Sequence, residues 1–185
     1  MIPMAWSVLP SPAPARRGRA LVLTDEHGIV ARLDPADRDG RRAVDTGPGG
    51  LLLRVTPAPR EGRVRRTLLG GSRTLARLDV DWDGEGHATL PSAIEGGSRA
   101  VPLRVTRPGV ARVLQVRDDE GTGVLMAQPG PRRLELCDVD ARWVHLAVLV
   151  VDLLEAEQSA PHAVLRWWAG NEAGPPRRAL RDDEG

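Results

Sequence analysis

The sequence predicts a mainly β domain, about eleven short antiparallel strands followed by one late helix that is apolar on most sides. Three observations predict it. From Ala20 to Cys137, short Val- and Leu-rich runs are broken every few residues by turn formers, the spacing of an all-β sandwich or barrel. From Asp138 to Glu157 neither Gly nor Pro occurs, and Val144 to Val151 carries apolar side chains on nearly every helical azimuth, His145 excepted. The chain has no Phe and no Tyr, so its core must be built from Leu, Val, Ala and a few Trp.

Taken in order, residues 1 to 19 open with an apolar patch around Trp6 and continue into alternating Pro10, Pro12 and Pro14. This composition predicts a semi-rigid, poorly ordered arm, with Trp6 to Leu9 able to tether as a strand or plug. ALVLT and IVARL flank DEHG as a hairpin over 20 to 33. RRAVD and LLLRVT (41 to 56) flank TGPGG, and VRRTLL and RTLARLDV (64 to 80) flank GGS. HATL, RAVPLRVT, VARVLQV, TGVLMAQ and RRLELC complete the strands. GGSR occurs twice, at 70 to 73 and 96 to 99, and is read as a turn. Gly supplies the positive φ that tight hairpins need, whereas a phosphate loop would want a Lys and a following helix.

The helix is expected over 138 to 157, with Asp138 as N-cap. Its uninterrupted apolar run, Leu146 to Val151, is too short to span a bilayer, so no transmembrane segment is expected. Asp138, Arg142, His145 and Asp152 fall on one narrow arc, a thin polar seam on an otherwise buried helix. Such a seam is satisfied by neighbouring polar groups more often than it is functional. In the tail, 159 to 185, Trp167 and Trp168 are expected to dock on the domain, with disorder beyond.

Composition narrows function by exclusion. The 185 residues fit one domain with tails. The 26 basic residues are all Arg, a coding bias more than a functional choice, and they balance 25 acidic ones to a net +1. That balance gives no overall case for nucleic acid. A lone Cys137 excludes an internal disulfide, and Met1 to Pro14 lacks the features of a signal peptide, so the expected location is cytoplasmic. Cys137 and the four His residues (27, 87, 145, 162) lack zinc-ligand spacing, and no nucleophile elbow occurs; no cofactor and no enzyme activity are expected. Asp79, Asp81 and Asp83 alternate before Gly84 as in calcium loops, but the twelfth position is Leu90 instead of a bidentate Glu. Among the Arg clusters, Arg63, Arg65 and Arg66 form a candidate anion-binding set. On a strand, Arg63 and Arg65 share a face while Arg66 points away.

The order of elements resembles the tubby C-terminal-like superfamily, in particular its bacterial LURP-one-related and scramblase-like branch. LVLTDEHGIVARL, AVDTGPGGLLLRV and VLQVRDDEGTGVLMA look like that family's strand, Asp- and Gly-containing turn, strand unit; DARWVHLAVLVVDLL looks like its central helix. The resemblance covers residues 20 to 157 and implies a closed antiparallel barrel of eleven or twelve strands around that helix. The physics agrees: a large closed barrel has an interior that side chains alone leave unfilled. The resemblance further implies a non-enzymatic binding or scaffold module whose ligand is an anionic phospholipid headgroup or a protein partner. Its alternatives are a scramblase-like membrane-associated protein and a calcium-binding β domain using Asp79, Asp81 and Asp83.

Overall fold

The computed structural model describes residues 2–9, 19–47, 50–58, 63–80, 86–91, 100–106, 114–117, 122–128, 132–136 and 141–159. Twelve strands precede one helix: β1 (Ile2–Leu9), β2 (Ala20–Asp25), β3 (Gly28–Leu33), β4 (Arg41–Asp45), β5 (Gly50–Ala58), β6 (Arg63–Gly70), β7 (Arg73–Val80), β8 (Gly86–Pro91), β9 (Ala100–Thr106), β10 (Leu114–Arg117), β11 (Gly123–Gln128), β12 (Arg133–Leu136) and α1 (Ala141–Ser159). Each strand pairs antiparallel with its sequence neighbours, and β1 closes the circle by pairing with both β2 and β12. Among the described residues the architecture is therefore a closed barrel around one late helix.

Turn chemistry sets the hairpins. After β2, the Asp25 carboxylate accepts from the backbone N–H groups of His27 (2.8 Å) and Gly28 (3.1 Å), and Gly28 takes a φ of 129°. Between β6 and β7, Gly71 adopts a φ of 61°, as expected of the first GGSR; the second lies outside the described residues. At the start of β8 the backbones approach closely. A Cβ on Gly86 would lie 2.7 Å from the Val80 Cα and against the Asp79 carbonyl.

Strand alternation supplies the barrel's inner lining. Leu21 and Leu23, Ala31 and Leu33, Ala76 and Leu78, and Leu134 and Leu136 are all fully or almost fully buried. Small and large side chains are mixed on that lining, which leaves a central channel. Helix α1 occupies it. Ten consecutive positions, 146 to 155, are at most 5% exposed, almost three full turns, so the helix is covered on every azimuth.

Two expectations need correction. The arm anticipated over residues 1 to 19 begins instead with β1, whose Met4 and Trp6 point inward and are 5% and 3% exposed. The physical reason is the open seam that eleven strands would leave between β2 and β12: β1 satisfies both backbone edges. The barrel thus starts at Ile2, not at residue 20; Pro10, Pro12 and Pro14 lie outside the described residues. The helix is described over Ala141–Ser159 and runs past the expected end at Glu157. Asp138, Trp167 and Trp168 lie outside the described residues.

Leu149 sits mid-helix and is fully buried. Leu149→Asp is expected to cost more than about 4 kcal/mol, through an unpaired charge in a closed apolar interior, and to prevent folding. Circular dichroism melting of the variant checks this; a soluble, cooperatively melting protein contradicts it.

Candidate functional site

The polar groups inside the barrel gather at one end. Because the strands alternate, that end carries the loops leading into β2, β4, β6 and β12, and the C-terminal half of α1 points towards it. On β4 the alternation turns Arg42 inward with Val44; on β6 it turns Arg66 inward with Leu68. On α1, Asp152 and Glu155 are three residues apart and share a face.

Asp152 lies between two guanidinium groups. Arg42 Nε is 2.9 Å from its Oδ1, and Arg66 Nε donates to its Oδ2 at 2.9 Å. Arg42 is held further by donating from Nη1 to the Arg19 carbonyl (2.6 Å) and the Asp34 carbonyl (3.2 Å). Glu155 Oε1 accepts from Trp6 Nε1 at 2.9 Å and lies 3.2 Å from Arg132 Nε. Exposure is 8% for Arg42, 4% for Arg66, 2% for Asp152 and 3% for Glu155, so these are charges within the protein interior. Arg66 Nη1 and Glu155 Oε2 are buried and have no hydrogen-bond partner among the described residues.

Arg42 and Arg66 on strands, with Arg132 just before β12, offset the loss of water around the two buried carboxylates. Chemically this arrangement holds rather than reacts. Each carboxylate is engaged by at least one arginine, and among the described residues no group of three His, Cys, Asp or Glu is placed to hold a metal ion. The network ties the helix to β1, β4, β6 and the residue just before β12.

The structure separates the three arginines read from sequence as one anion-binding set. Arg66 belongs to the interior network. Arg65 faces outward and pairs with Asp79 on β7, Nε to Oδ1 at 2.7 Å and Nη2 to Oδ2 at 3.4 Å. Arg63 stands in register with Ala58, and its side chain lies outside the described residues. Arg66 is therefore removed from the set, because consecutive strand positions point to opposite faces and a buried Asp152 claims the inner one. In the calcium-like stretch, Asp79 is engaged by Arg65, and Asp81 and Asp83 lie outside the described residues. Of the polar seam, Asp152 is held by the two arginines and His145 is half-buried; Asp138 and the Arg142 side chain lie outside the described residues.

Sequence reasoning missed Arg42, Arg132, Glu155 and Trp6 as members of the network. Signals for three existed: Arg42 shares its strand face with Val44, Trp6 with Met4, and Glu155 its helix face with Asp152. Compared with known proteins, this chain matches no family model, no curated protein and no solved structure.

Removing Asp152 leaves two arginines facing each other without water or counter-ion. Asp152→Ala is expected to cost about 3–5 kcal/mol, against at most about 1 kcal/mol for Arg65→Ala in the exposed pair. Urea denaturation of the two variants side by side checks the ordering; equal losses contradict it.

Proposed function

We propose that this chain is a non-enzymatic binding or scaffold module of the tubby-like type that works through its exterior. Its ligand on this reading is an anionic lipid headgroup or a protein partner. One observation carries the proposal: the barrel's interior is filled by the chain's own helix. Barrels that take a ligand inside keep the cavity open. Here positions 146 to 155 occupy it, and the interior carboxylates are engaged by arginine. Recognition is left to the outer wall and the loop ends. The resemblance to tubby-like proteins supports the same reading, and the lone Cys137 suits the reducing cytoplasm we assign it to.

No helix among the described residues is long and apolar enough to cross a membrane. The scramblase-like alternative would call on the apolar helix for lipid contact, but that helix is committed to the core.

Vesicle flotation, with phosphatidylcholine alone and with added phosphatidylserine, separates the two ligand classes. The lipid arm predicts co-flotation with the anionic vesicles alone. The partner arm predicts none, together with a specific crosslinked protein in lysate of the native host. Absence of both results contradicts the proposal.

A further inference from the structure

We infer that the outer wall over β4–β7 is a docking surface for an extended acidic polypeptide segment, an inference that rests on the chain being a binding module acting through its exterior. The strand registers place Arg41 opposite Arg54, Arg54 opposite Thr67, and Thr67 opposite Arg77. These four positions form a single row running around the barrel. Arg41 and Arg54 are exposed and Arg77 is half-buried.

Three features of this row are unfavourable without a ligand. Arg41 and Arg54 are like charges directly opposite each other on neighbouring strands, an arrangement that destabilises a sheet. The Arg77 Nε is buried and has no hydrogen-bond partner among the described residues, a donor stripped of water with nothing in exchange. Among the described residues no carboxylate pairs with Arg54 or Arg77, and Asp39 reaches Arg41 only at 4.0 Å. Outside the row, Arg117 on β10 also stands across from an arginine, Arg104 on β9, but it donates to Gln115 Oε1 at 3.1 Å. Beside the row, Arg32 on β3 stands across from Asp45 on β4, and on the opposite wall Arg133 is flanked by the neutral Ala5 and Gln128. With a net charge of only +1 over the chain, the excess of positive charge on this row is a local segregation.

Spacing and curvature select the ligand class. Neighbouring strands are ~4.8 Å apart, so one carboxylate fits between Arg41 and Arg54, while Arg77 lies ~10 Å beyond Arg54. In a polyproline-type segment, side chains three residues apart project the same way ~9 Å apart, which matches that second interval. The row crosses four of the twelve strands of a closed barrel and therefore bends with the wall. A flat membrane touches such a row over one or two strands, whereas a single narrow extended segment can lie along it. Among the described residues every strand already has a partner on both sides, so recognition falls to the side chains and not to an added strand.

The test is fluorescence polarisation of a labelled peptide of Glu-Pro-Pro repeats against the full chain. The expected result is saturable, salt-weakened binding that falls at least about tenfold in Arg54→Gln/Arg77→Gln, the size of one charge-assisted hydrogen bond or more. Arg133→Gln, on the opposite wall, is expected to bind as the wild type does. Circular dichroism of each variant confirms folding, and Arg54→Gln alone serves if the double variant melts early. No saturable binding, or an equal loss in Arg133→Gln, overturns the inference. Capture of anionic vesicles with the same Arg54 and Arg77 dependence, but no peptide binding, also overturns it. That last outcome leaves the exterior-binding reading intact, whereas loss of vesicle, peptide and crosslinked partner together removes both.

Discussion

The volume enclosed by twelve closed strands is the constraint on which the rest of this structure depends. Closing the sheet removes every unpaired edge, but it also creates an interior wider than two facing layers of Leu and Val can fill. A helix with its side chains is ~10–12 Å across, the right scale for the space that remains. The consequence is a helix with no exposed face over ten positions and a lining that mixes Ala31, Ala76, Ala88 and Ala127 with Leu. A chain without Phe or Tyr reaches close packing this way, its large volume supplied by one buried secondary element rather than by aromatic side chains.

A helix apolar on most sides gains similar burial at many rotations and heights inside a greasy cylinder. The charges at its C-terminal half discriminate among them. Only one placement puts Asp152 between Arg42 and Arg66 and brings Glu155 to Trp6 and Arg132. Buried ion pairs are weak sources of net stability, since desolvation offsets most of their attraction, yet a broken pair is costly. Their effect is therefore on position. The Trp6–Glu155 bond also joins the first strand to the helix, so the strand that closes the barrel helps seat the helix.

Much of this was legible in the sequence. Hairpins such as ALVLTDEHGIVARL announce themselves by period-two apolarity around Asp and Gly, and the helix by apolarity on all sides. What sequence reading missed has identifiable physical causes. The alternation of Met4, Trp6 and Val8 is a strand pattern, but it sits beside a proline-rich run whose composition dominates the reading. In RRAVD and VRRTLL one arginine of each pair must face inward, and a charge facing inward makes sense only once its counter-charge is located. For Arg66 that partner is 86 residues away. The outer arginine row depends on register, including a bulge between Leu68 and Leu69 that shifts β7 against β6, and no count along the chain predicts such a shift.

Native-state hydrogen exchange tests enclosure of the helix most directly. If α1 is sealed within a closed barrel, the amides of Leu146 to Glu155 are released only by global unfolding, and they exchange as slowly as the slowest strand amides, at the same denaturant dependence. Rapid exchange of those amides by local opening, while the strands stay protected, would mean that the helix lies outside the barrel or is only loosely seated in it.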